Sequence, residues 1–66
     1  MNVVVNGKAR DVQKGSTIAD LISALGLGAR HVVVERNGEP VPRDRFRVEM
    51  LTADDVLEIV RPVQGG

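Results

Sequence analysis

The residues of this chain that bear on chemistry fall in four places, and the least ordinary of them is Val63-Gln64-Gly65-Gly66 at the C-terminal end. Glycine costs more conformational entropy to order than any other residue, so a terminal pair is not expected to be held by a folded body. Without a Cβ it can thread a channel too narrow for side chains and carry a terminal carboxylate into another protein's active site. The plain alternative is a chance or cloning-derived end. His31, the single histidine, has no serine or cysteine partner at useful spacing, which favours a surface or loop position. Asp54-Asp55 has the composition of a paired carboxylate. Neighbours in a turn point apart, however, and no third ligand follows, so a polar turn is expected. Arg43, Arg45 and Arg47 suit a phosphate or an acidic partner surface; interleaved with Asp44 and Glu49, they read equally as a solvated face.

Composition removes several functions. There is no cysteine, hence no disulfide framework, zinc cluster or thiol nucleophile. Nine basic and nine acidic residues cancel, and Phe46 is the only aromatic, so the charge and stacking surface of a nucleic-acid binder are both missing. The run Val3-Val4-Val5 is far too short for a signal-peptide core or a membrane span. A cytoplasmic location is the expectation. With 66 residues the chain is one domain near the lower limit for folding without staples, and its core must be built from Val, Leu and Ile.

The elements that must position these residues follow from periodicity. Residues 2–6 are valine-rich and lead straight into Asn6-Gly7, the pair a type I′ hairpin turn demands; 8–12 return as a second strand. Thr17 is the expected N-cap of a helix, with Asp20 as a short-armed capping-box partner. Ile18, Leu21, Ile22 and Leu25 share one helical face, Gly26 is the left-handed stop, and Leu27 is placed for the contact that follows such a stop. So short a helix must lie on a sheet. A third strand is expected over 31–36, with Val32 and Val34 facing the core and Val33 and Glu35 turned away. Asn37-Gly38 signals a second hairpin, residues 39–41 its return, and Pro42 the end of an edge strand. Phe46 is the expected anchor of a charged connection, and 47–51 are compatible with an extended segment. The last strand covers 56–61, with Leu57 and Ile59 on one face and Val56, Glu58 and Val60 on the other.

These pieces make a single layer of helix on sheet. They also resemble a known family. Asn37-Gly38-Glu39-Pro40-Val41-Pro42-Arg43, Leu57-Glu58-Ile59-Val60-Arg61-Pro62-Val63-Gln64-Gly65-Gly66, the Val5-Asn6-Gly7 turn and the helix start Thr17-Ile18-Ala19-Asp20-Leu21 are similar to the ThiS family, the sulfur carrier proteins of thiamine biosynthesis. The resemblance implies a ubiquitin-like β-grasp of the α+β class. It has a mixed sheet of about five strands in the order β-β-α-β-β-β, with the last strand central, parallel to the first and beside the third. One helix covers one face. The body is expected over 1–62 and a flexible tail over 63–66. Two positions depart from the family pattern: Ala53-Asp54-Asp55 stands where Asp-Gly-Asp is usual, and Arg36 where an aliphatic residue is common.

The resemblance further implies a carrier on which other proteins act. A ubiquitin-activating-type, ThiF-like adenylyltransferase would join AMP to the Gly66 carboxylate with ATP and magnesium. A cysteine desulfurase or rhodanese-type donor would then supply sulfur, giving a thiocarboxylate delivered to a ThiG-like thiazole synthase. No cofactor is expected on the carrier itself, nor any catalytic residue or metal. Gly65, Gln64 and Val63 would enter the partner's channel, and Val56, Val60, Arg61 and Pro62 are the docking candidates, with Val33 nearby. Rival readings are a molybdopterin-synthase small subunit, a carrier or modifier for another pathway, and a binding module with an incidental tail.

Overall fold

Residues 1–62 are described by a computed structural model. Strand β1 (Asn2–Val5) turns at Asn6-Gly7 into β2 (Lys8–Asp11). Asn6 and Gly7 hold φ of +50° and +82°, the left-handed pair that matches the twist of the flanking strands. Both strands stop one residue short of expectation. Asn6 is consumed by the turn, and Val12 donates its N–H to the Met1 carbonyl (2.8 Å) beyond the end of β2.

Helix α1 (Ile18–Ala24) is capped as its sequence requires. The Asp20 N–H donates to Thr17 Oγ1 (3.1 Å) and the Thr17 N–H donates to the Asp20 carboxylate (2.9 Å), a capping box closed by the shorter acid. At the far end Gly26 has φ +74°, the Gly26 N–H donates to the Ser23 carbonyl (2.9 Å) and the Leu27 N–H to that of Ile22 (3.1 Å), a Schellman stop. Seven residues do not make a stable isolated helix. Its support is tertiary: Ile18, Leu21 and Ile22 are buried, and the Ile18 and Ala19 N–H groups donate to the carbonyls of Glu49 (3.0 Å) and Phe46 (2.8 Å).

Strands β3 (Val33–Arg36), β4 (Glu39–Val41) and β5 (Val56–Val60) complete one sheet in the order β2-β1-β5-β3-β4. The β1–β5 pair is parallel and the other three are antiparallel. This is the β-grasp arrangement, with the last strand central and α1 across one face. Val3, Val5, Val34, Leu57 and Ile59 from the sheet meet α1, Phe46 and Leu51 in one aliphatic core.

Two expectations are corrected. The third strand begins at Val33 rather than residue 31, because Ala29–His31 form a 3-10 turn in which the His31 N–H donates to the Gly28 carbonyl (3.0 Å). Residues 47–51 are not a strand. Arg43–Arg45 form a second 3-10 turn, Phe46 follows it into the core, and Met50 makes only an isolated bridge to Thr17. The physical reason is the helix start: the carbonyls of 46 and 49 are drawn to its unpaired N–H groups, which bends the segment across the helix instead of along the sheet.

Candidate functional site

The site is built on β5. Its alternation buries Leu57 and Ile59 against the helix side and turns Val56, Glu58 and Val60 outward. The parallel neighbour β1 ends at Val5, opposite Leu57, so the polar backbone of Ile59 would lose its partner on that side. Asn6 replaces the missing strand. Its Oδ1 accepts the Ile59 N–H (2.8 Å) and its Nδ2 donates to the Ile59 carbonyl (3.0 Å). At the other end Asn37, at φ +53°, accepts the Val56 N–H on Oδ1 (2.9 Å) and donates its own N–H to the Val56 carbonyl (2.7 Å). The asparagines of both Asn-Gly turns thus clasp the strand that leads into residues 61–66.

On the outer face Val33 and Val60 stand opposite each other, and Val56 lies beside the half-buried Val4. Between these valines Glu35 and Glu58 are directly opposed across β3 and β5. All four docking candidates lie at the surface, Val56 and Val60 at 46% and 53% exposure and Arg61 and Pro62 as the strand runs out. Val63, Gln64, Gly65 and Gly66 fall outside the described residues.

The other nominated residues do not converge. His31 is exposed on its 3-10 turn. Arg43 donates to the Arg30 carbonyl (3.2 Å) and Arg45 pairs with Glu49 (3.2 Å), so the three arginines form no joint anion cradle. Asp54 and Asp55 part company as expected. Asp54 holds the turn at φ +69°, while Asp55 is buried. Burial pushes the Asp55 carboxyl up, but donation from the Thr52 N–H (2.8 Å), Asn37 Nδ2 (3.1 Å) and Arg36 (2.9 Å) outweighs it and holds the group below the ordinary carboxylate value. Arg36 also pairs with Glu49 (3.0 Å), which explains a charged residue on the inner side of β3. A cleft of about 240 Å³ lies beside this network, lined by Arg36 and Glu49 with Glu39, Pro40, Val41 and Pro42. Among the described residues no group of three or more His, Cys, Asp or Glu side chains is arranged to hold a metal, and no helix is long and apolar enough to cross a membrane.

Sequence reasoning missed the two asparagine clasps and the opposed glutamates. Each depends on the register between strands distant in sequence. The signal within reach was the outward alternation of Glu35 and Glu58, which placed both on one face without showing that they meet.

A helix on a five-stranded mixed sheet whose last strand is central defines a ubiquitin-like β-grasp protein. Comparison with known proteins narrows the class. Residues 3–66 match the ThiS family model, and the chain is 40% identical over 63 residues to the sulfur carrier protein ThiS of Bacillus subtilis, covering 94% of this chain and 96% of that one. The crystal structure of a thiamine biosynthesis protein, ThiS, from Geobacter metallireducens superimposes over the whole of both chains with a TM-score of 0.85 at 35% identity. The chain is also 38% identical, over all 66 residues, to part of a thiazole synthase from Paramagnetospirillum magneticum, and it spans only 20% of that protein's length. The chain belongs to the ThiS family.

Proposed function

We propose that this chain is a sulfur carrier of thiamine biosynthesis, with the Gly66 carboxylate as the site of covalent chemistry. The observation that carries the reading is the family match through residue 66, terminal glycines included, on a fold whose central strand leads directly to them. A carboxylate is a poor electrophile because its oxygen is a poor leaving group. A partner adenylyltransferase of the ubiquitin-activating type overcomes this with ATP and magnesium: a Gly66 carboxylate oxygen bonds to the α-phosphorus, and pyrophosphate leaves. The terminal sulfur of a persulfide on a desulfurase or rhodanese-type donor then attacks the carbonyl carbon and AMP leaves, giving an acyl disulfide. A thiol reductant cleaves its S–S bond, releasing the donor thiol as the reductant is oxidised to a disulfide, so one carboxylate oxygen is exchanged for sulfur. The carrier contributes no catalytic group. Its body presents the tail, and Gly65 and Gly66 let a partner close around the reacting carbonyl. The acceptor is a thiazole synthase, a choice favoured over molybdopterin synthase by the thiazole synthases that contain a segment similar to the whole chain. The work belongs in the cytoplasm, where ATP and these partners meet.

Intact mass with fragmentation, on protein purified from its own host, tests the reading. Replacement of one oxygen by sulfur localised to Gly66 is the expected result. Fragmentation is required because oxidation of Met1 or Met50 adds nearly the same mass. Gly66 remaining unmodified after incubation with ATP, magnesium, a sulfur donor, a thiol reductant and the host's adenylyltransferases overturns it.

A further inference from the structure

The opposed glutamates on the outer sheet face are the feature that neither the fold nor the tail explains. Glu35 and Glu58 are exposed and directly paired across β3 and β5. Side chains so placed are neighbours at about 5 Å between Cβ atoms, and like charges in that position destabilise a sheet. The rest of the face gives no relief. Its outward positions are Asn2 and Val4 on β1, Ala9 and Asp11 on β2, Val33 on β3, Pro40 on β4, and Val56 and Val60 on β5, with no lysine or arginine among them. Arg36 lies opposite Leu57, on the other side of the sheet, and is engaged by Glu49 and Asp55. Among the described residues neither Glu35 nor Glu58 makes a salt bridge. The result is a pair of bare carboxylates ringed by half-exposed valines, on a domain whose net charge is zero.

We propose that Glu35 and Glu58 together form a receptor for one cationic side chain, an arginine or lysine, presented from an apolar patch on the thiazole synthase that receives the tail. The proposal rests on the function inferred above and adds the surface and the residues that select the acceptor. Charge complementarity sets the chemistry of the occupant. Two adjacent carboxylates suit the several N–H donors of a guanidinium, and surrounding valines exclude water and strengthen the pair. Continuity narrows the partner to the proteins that take the tail, since Val60 in the valine ring is followed at once by Arg61 and Pro62. Of these the thiazole synthase is chosen because thiazole synthases contain a segment similar to this whole chain. The repulsion between the glutamates is relieved when the complex forms, which makes the pair a device for selecting a basic partner surface over others.

The test compares Glu35→Gln, Glu58→Gln and the double variant in the full chain, by titration calorimetry against the thiazole synthase of the same host and by thermal denaturation alone. Each single change is expected to weaken binding at least about tenfold and to flatten its salt dependence. The same changes should raise the denaturation midpoint by a few degrees, since a like-charge pair is removed. Opposite signs in the two measurements are the signature. Unchanged binding by the double variant overturns the receptor while leaving the sulfur-carrier reading intact, and a lowered midpoint would show that the glutamates serve the fold instead. Failure of the unaltered chain to bind overturns thiazole synthase as the acceptor and the receptor with it; the mass of Gly66 then shows separately whether the carrier reading stands.

Discussion

Asp55 shows how much one side chain organises when it is enclosed with donors on several sides. It is 5% exposed, and Thr52, Asn37 and Arg36 together satisfy its oxygens at the start of the central strand. Because these donors hold its native pKa below the unfolded value, the unfolded chain takes up the proton first as the solution is acidified. The stabilisation is therefore complete above about pH 4 and is lost as pH falls toward and through the lowered native value. Asp55→Asn should cost about 2 kcal/mol at neutral pH, the range for hydrogen bonds to a charged group. Its stability, followed by urea denaturation between pH 6 and about pH 2.5, should then decline less steeply than that of the unaltered chain. Equal slopes would mean that the carboxylate is not the titrating support described here. Little of this was legible beforehand. Asp54-Asp55 read correctly as a turn, and Asn37 as a turn residue, but the second use of Asn37 as a donor to Asp55 requires β3 and β5 to be already side by side. Arg36 stood out only as a departure from the family pattern, and its partners come from residues 13 and 19 positions away.

At the level of elements, local rules succeeded wherever the partner of a group was local. Helix α1 was readable in detail because its cap, its stripe and its glycine stop all lie within about ten residues. The outward and inward faces of β3 and β5 were readable because the pleat alternates strictly. The segment from Pro42 to Leu51 was not. Its charged residues have no period, and its course is set by backbone carbonyls meeting the start of a helix some thirty residues earlier. The alternation of β5 carries a prediction of its own. Val60 is 53% exposed, so Val60→Asp should leave the fold intact while weakening binding to thiazole synthase. The added charge near Glu58 should lower the thermal midpoint by no more than a few degrees. Collapse of the folded signal in far-ultraviolet circular dichroism would show that the outer face is needed for folding. As for the candidate site, its strand was legible in the sequence, while the glutamate pair awaited the register.

Across the whole molecule, a chain of this size is expected to be stable by only about 3–10 kcal/mol. Its core has one aromatic and otherwise depends on close aliphatic packing, with Leu57 fully buried at the middle of the sheet. Leu57→Ala removes side-chain volume where α1, β1 and β3 all approach, and should cost about 3 kcal/mol by chemical denaturation, a large share of the total. A loss below about 1 kcal/mol would mean that the core closes over the gap. The position of β5 has a consequence for synthesis as well. The strand that joins the two hairpins into one sheet spans Val56–Val60, and Asn6 clasps it from 53 residues away. A nascent chain leaving the ribosome therefore holds two separate hairpins, each with its valines uncovered, until residue 60 has cleared the exit tunnel. A product that stops within β5 or before it cannot close the sheet, and such premature termination yields a substrate for proteolysis.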